Sequence, residues 1–223
     1  MGASEVRVAV RIWVPDRPGV LGAVATRIGG IRGNVVGLEV LERDNGIAVD
    51  DLVVELPDAA LIPDMCNQIR LVEGAGVEDV HAVAPFTEER GLQVMEAAIA
   101  IMETANSAAS LAALTGRAAD LFELDWAVLL DLREGGTAQS LGPAPPVPWL
   151  AAFVTGARTP DGGAPTDGSG VLSEELPTAG LVLCVGRGVP FRRRERRELE
   201  MLARVTDRVW AALEPGPAAH PGW

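Results

Sequence analysis

The chain has 223 residues, with 19 basic and 31 acidic side chains, giving a formal charge of −12. Every basic residue is Arg; Lys and Tyr are absent, and His and Cys number 2 each. A lysine Schiff base and a Gly-Lys-Ser/Thr phosphate loop are excluded outright, and a zinc, haem or iron–sulfur centre is not expected.

Val6, Val8, Val10, Ile12 and Val14 alternate with Arg7, Ala9, Arg11 and Trp13, which predicts a strand with one buried face, ending at Pro15. Asp16-Arg17-Pro18-Gly19-Val20-Leu21 follows. Val20, Leu21, Val24, Ile28 and Ile31 then recur at helical spacing, and Gly29, Gly30 and Gly33 close the helix. Val36, Leu38 and Val40 predict a second strand. Asp44-Asn45-Gly46 is a turn, and Asn-Gly is a strong hairpin signal. Leu52, Val54 and Leu56 predict a third strand. Ile62, Met65, Ile69 and Val72 outline a second helix, with Pro63 tolerated in its first turn. Gly74 and Gly76 end it, and residues 77–84 form a last strand. Strand, helix, strand, strand, helix, strand is the split βαβ order, ferredoxin-like βαββαβ.

That order, the Asp16–Leu21 loop after the first strand, and Gly33-Asn34-Val35 entering the second resemble the ACT domain over residues 5–86. The resemblance implies modules that pair and bind small ligands, mostly amino acids, at the seam between them. It carries over Asp16, Asn34 and the backbone of Gly19, Val20 and Leu21 as ligand contacts, with Arg17, Pro18 and Val35 beside them. Elementary physics supports the same loop. A helix beginning after Gly19 offers unpaired N–H groups and the positive end of its dipole to a carboxylate. Gly19 lets a ligand approach the backbone, Asp16 accepts from an ammonium, and Asn34 offers both a donor and an acceptor. Serine-responsive members carry His where this chain has Val14, and Asn where it has Asp16, so a more apolar amino acid is at least as good a candidate. Each polar residue also has a purely structural reading: Asp16 as the helix cap, Asn34 as a left-handed turn residue. ACT modules that pack without ligand keep pure assembly open.

In the second half, Leu92, Met95, Ile99 and Met102 lie on one helical stripe, and a further helix runs through Leu111, Leu114, Ala118 and Leu121. Trp126, Val128, Leu130 and Leu132 alternate as a strand. Gly135-Gly136 is a turn and residues 137–141 its partner strand. Residues 142–148, with four prolines, are a loop. Trp149, Leu150, Phe153 and Val154 suggest a short helix, and residues 156–170 a mobile surface loop. Residues 181–187 read as a central strand. After Val189-Pro190-Phe191 a long helix carries Leu199, Leu202, Val205 (or Thr206), Val209 and Leu213 on its apolar stripe.

The opening helix, the strand from Asp125-Trp126, and the run from Leu181 to Arg187 followed by Val-Pro-Phe and a final amphipathic helix resemble a GAF domain over residues 87–214. That resemblance implies a GAF-like antiparallel sheet with flanking helices, serving as a small-molecule sensor or dimerisation module. It is degenerate: the Asn-Lys motif of cyclic-nucleotide sensors, an axial His in the sensor core and a reactive Cys beside His are all missing. The fold class is therefore α+β in two domains, with residues 215–223 as a disordered tail.

Other constellations are weaker. Arg192, Arg193, Arg194, Arg196 and Arg197 read as a solvated face compensated by Glu195, Glu198 and Glu200, with an acidic partner as the alternative. Asp50 and Asp51 are adjacent on a strand and point to opposite faces, so they cannot converge; Glu88-Glu89 and Glu174-Glu175 read as linker and loop. His81 sits at a strand end and His220 in a Pro/Gly tail, which leaves no Ser–His–Asp hydrolase. Net negative charge opposes nucleic-acid binding, and no apolar run spans a bilayer. Cys66 and Cys184 read as buried thiols of a reducing compartment, and the start of the chain lacks a signal-peptide pattern. The expectation is a non-catalytic cytoplasmic regulator without cofactor or metal. It would bind an amino acid or similar small ligand as a homo-oligomer, with a dimer as the simplest case, and signal to an unknown protein partner, with no nucleic acid and no membrane involved. A pure interaction module and a GAF-type sensor are the alternatives.

Overall fold

The computed structural model describes residues 6–83, 90–157 and 170–214. The chain divides into two compact units, residues 1–87 and 88–223. Each holds a four-stranded sheet in which all hydrogen-bonded neighbours are antiparallel. Among the described residues, no helix is long and apolar enough to cross a membrane.

The first unit runs β1 (Val6–Pro15), α1 (Val20–Gly30), β2 (Asn34–Asp44), β3 (Ile47–Leu56), α2 (Ile62–Arg70) and β4 (Gly76–Ala82). The strand order is β2-β3-β1-β4, the split βαβ order expected from the sequence. Period two puts Val8, Val10, Ile12 and Val14 on the helix side of β1, where they pack with Val24 and Ile28 of α1 and Met65 and Ile69 of α2. The other face carries charge: Arg7 pairs with Glu55, and Arg11 binds Asp51 through two contacts of 2.8 Å. The edge strand β2 departs from its simple pattern. Register shifts at Val35/Gly37 and Val40/Glu42 break the alternation, leaving Val36 and Leu38 exposed and burying Leu41. Cys66 is a buried free thiol.

The second unit runs α3 (Arg90–Met102), α4 (Ser107–Phe122), β5 (Trp126–Asp131), β6 (Gly136–Leu141), α5 (Val147–Ala157), β7 (Val171–Leu176), β8 (Leu181–Gly186) and α6 (Arg193–Leu213). Its strand order is β6-β5-β8-β7. Helices α3, α4 and α6 cover one face over Leu129, Leu183 and Val185, and α5 covers the other over Val128, Leu130 and Cys184. All of β8 is buried, as its unbroken apolar run demands. Cys184 is a free thiol, and burial pushes it up to about 12, which leaves it inert at neutral pH.

Three features of this unit depart from or go beyond the sequence pattern. Leu92, Met95, Ile99 and Met102 do not face the core; they are 48–64% exposed. Val94, Ala97, Ala98 and Ile101 face it instead, because α3 is apolar on two sides and the smaller side chains let it seat closely against α4 and α6. Glu174 and Glu175 lie in strand β7, not in a loop. The arginine run is not simply a solvated face. Glu195 is fully buried and accepts from the Arg187 guanidinium at 2.6 Å and from the Arg192 N–H at 2.8 Å, capping α6. Glu198 binds Arg90 at 2.8 Å and Arg194 at 2.9 Å. The guanidinium of Arg187 also lies 4.2 Å over the Phe191 ring. Asp207 of α6 accepts from Thr178 and Ala179, pinning the turn between β7 and β8. The expected tail at 215–223, Glu88-Glu89, His220 and all but the ends of the 156–170 loop lie outside the described residues.

Both sheets use one device. In each, a Trp lies flat across a Gly of the neighbouring strand: Trp13 over Gly76 and Trp126 over Gly186. A Cβ on either glycine would come within 2.2 Å of the ring, so only glycine admits the indole there.

Candidate functional site

The loop that the sequence singles out is built by three local constraints. Strand β1 ends at Pro15, and the Asp16 N–H donates to the Gly46 carbonyl at 2.8 Å, tying the loop to the β2–β3 hairpin. Asn45 and Gly46 both take positive φ, 48° and 78°, as a two-residue hairpin turn of the primed kind requires. Arg17 N–H then turns back to the Pro15 carbonyl at 2.9 Å. Gly19 sits at the N-cap of α1 with φ 91°, a left-handed conformation that disfavours any side chain. No side chain caps this helix, so Asp16 does not have the capping role open to it on sequence grounds.

The result is a cavity of about 300 Å³ lined by Val14, Pro15, Asp16, Arg17, Pro18, Gly19, Val20, Leu21, Arg43, Ala48 and Asp50. Six of the eight residues anticipated as ligand contacts, Asp16 to Leu21, therefore line one cavity. The α1 N-terminus brings its first-turn N–H groups and positive dipole end to this wall. Asp16 Oδ1 lies 3.9 Å from Arg43 Nε, and Arg17 lies 3.9 Å from Glu73; both pairs are largely solvated and weak.

Asp50 is the feature that sequence reasoning missed. It lies on β3 between Ala48 and Leu52, on the same face as those core residues, and is 1% exposed. Neither carboxylate oxygen has a hydrogen-bond partner. Burial pushes its carboxyl above the ordinary carboxylate range; Arg43 opposes that shift, while Asp16 and Asp51 add to it. As expected from the alternation of a strand, Asp51 points the other way, to Arg11. The available signal was an acid at a position where the period of β3 calls for an apolar side chain. Arg43, at the end of β2, carried no such signal.

Asn34 and Val35 are not brought to this cavity within one chain. Asn34 begins β2, pairs in register with Glu55, and donates to its carboxylate at 3.4 Å. The loop leaves the opposite end of the sheet, eight rungs along β1 and so about 26 Å away. The structural role open to Asn34 also falls elsewhere: the left-handed residue before β2 is Arg32, φ 64°.

No family model matches the chain, and no curated protein does. Among solved structures, the ACT domain from the GTP pyrophosphokinase of Chlorobium tepidum overlaps 38% of this chain and 93% of its own, at 16% identity and a TM-score of 0.29. An uncharacterized protein from Thermotoga maritima overlaps 36% of this chain and 100% of its own, at 15% identity and a TM-score of 0.29. An unknown protein from Galdieria sulphuraria overlaps 92% of this chain and 94% of its own, at 13% identity and a TM-score of 0.32. None of the three speaks to the GAF resemblance of the second half, and at these scores the ACT likeness stands as a likeness only.

Proposed function

We propose that the protein is a non-catalytic regulatory protein whose first unit binds a small ligand, an amino acid, in the cavity between the β1–α1 loop and the end of the β2–β3 hairpin. The observation that carries this reading is the cavity itself. It is walled by the loop whose residue types suit a zwitterion, and it presents positive and negative groups above an apolar floor. Its volume of about 300 Å³ sits at the low end of ligand pockets, which favours something as small as an amino acid. The second unit, on this reading, is a degenerate GAF-like module that assembles copies of the chain or meets a partner protein. Ligand can only shift such assembly by binding its two arrangements with different affinity.

A thermal-shift screen of the full chain against the twenty amino acids tests the reading, because a ligand that binds only the folded state raises Tm by mass action. At a hundredfold excess over Kd, the gain is about 2.7 kcal/mol, or roughly 5–10 °C for a chain of this size. Asp16→Ala should cut that shift by at least half while leaving the Tm of the unliganded protein within about 2 °C. The absence of any shift with any amino acid would favour a pure interaction module, and a response confined to cyclic nucleotides would favour a GAF-type sensor. Asn34→Ala decides where the site ends. Loss of the response places Asn34 of a second copy in the site, at a seam between protomers; retention confines the site to one chain.

A further inference from the structure

We propose that Asp50 is the ammonium-binding residue of this cavity, and that the ligand is a small primary amine bearing a carboxylate, held with its amino group at Asp50 and its carboxylate toward the α1 N-terminus and Arg43. The inference rests on the reading of the cavity as a ligand site and adds to it the residue that selects the ligand class.

A carboxylate buried without a hydrogen-bond partner is one of the more costly arrangements a fold can hold. Asp50 is 1% exposed, neither of its oxygens has a hydrogen-bond partner among the described residues, and the residue is one of those that line the cavity. Its neighbours relieve it only in part: Arg43 attracts its charge but is more than half exposed and lies near Asp16, and Asp16 and Asp51 bring further negative charge. A group with one positive charge and several N–H donors, arriving from the cavity, would satisfy both oxygens through charge-assisted hydrogen bonds. An ammonium has that character. A divalent cation does not suit the wall: Asp16 and Asp50 are its only carboxylates, and Arg17, Arg43 and the α1 dipole all oppose added positive charge. Those same positive groups suit the carboxylate of a zwitterion. Val14, Val20, Leu21 and Ala48 leave an apolar remainder, so the side chain between the two ends is small and apolar.

The test uses the full chain and three classes of probe: the twenty amino acids, then, for each that raises Tm, its decarboxylated amine and its deaminated acid (for valine, isobutylamine and isovaleric acid). Affinities are measured by calorimetry on the wild type, on Asp50→Asn, which keeps the shape and removes the charge, and on Asp50→Ala, which guards against a misplaced amide. The wild type should bind the amino acid, bind the amine more weakly, and ignore the deaminated acid. Both variants should lose at least tenfold in affinity for the amino acid and the amine. Variants that bind the amino acid within threefold of wild type would overturn the role of Asp50 while leaving the cavity as a site, provided that Asp16→Ala still reduces binding. A wild type that answers to none of the probes would overturn the cavity reading together with this one.

Discussion

Asp50 lowers the stability of the unliganded protein. A neutral polar group buried without a partner costs about 1–3 kcal/mol and a carboxylate more, which Arg43 offsets only in part. Asp50→Asn should therefore raise the Tm of the unliganded chain by a few degrees, read by calorimetry near neutral pH; a lowered Tm would mean the charge is satisfied by something in the fold. The same residue shows where sequence reading stops. The Asp16–Leu21 loop was legible because its local chemistry is written in consecutive residues: a strand-ending Pro, a Gly that takes φ 91°, and an apolar helical period beyond. Asp50 belongs to the same cavity across a sheet, brought there by the pairing of β1 with β3. Its neighbour Asp51 disguised it as half of an acidic pair. Asn34 shows the converse: its place near ligand came from a resemblance, and within one chain β2 carries it to the far end of the sheet.

Among the elements, α3 is the instructive case. Two stripes satisfy helical spacing, one of large side chains (Leu92, Met95, Ile99, Met102) and one of smaller ones (Val94, Ala97, Ala98, Ile101), and periodicity alone cannot rank them. Packing ranks them: the smaller side chains seat α3 in the cluster it shares with α4 and α6, where Ile101 is fully buried. Ile101→Ala should cost about 2–4 kcal/mol in chemical denaturation, whereas Ile99→Ala, on the exposed stripe, should change stability by less than about 0.5 kcal/mol. Equal effects would return the large stripe to the core. Strand β7 escaped for a different reason. Val-Leu-Ser-Glu-Glu-Leu has two acids in a row, so its alternation is lost in the letters, and only pairing with the buried β8 shows it. The order of the first unit was legible because β1 and β3 keep period two on their buried side and each turn carries Gly, Pro or Asn.

For the whole molecule, pH is the quantity that sums over many groups. A charge of −12 repels itself near neutrality. Glu174 on β7 adds a specific term: burial, then the charge of Glu200, lifts it from an ordinary 4.5 to about 7, with Arg196 opposing. A carboxyl raised in the fold holds its proton where the unfolded chain has lost it. Stability from this group is therefore greatest below about 4.5 and falls as pH rises to about 7. Asp50 acts with the same sign. Glu55 has the opposite sign: the Arg7 hydrogen bond holds it below its ordinary value, so its contribution is lost as pH falls further. Glu174→Gln should raise Tm at pH 7.5, leave it unchanged near pH 4.5, and flatten the decline between them; a parallel displacement of the whole curve would mean that Glu174 does not titrate in this range.

The two indole-on-glycine contacts have a practical meaning for all of these measurements. With no Tyr in the chain, its near-ultraviolet absorption and emission come almost wholly from indole. One ring lies on the sheet of the first unit, at Trp13, two residues before the strand end that opens the cavity, and another lies inside the second, at Trp126. Trp13 is the one indole of residues 1–87 and the other four lie in residues 88–223, so the part of the signal lost on Trp13→Phe isolates the first unit without any added dye.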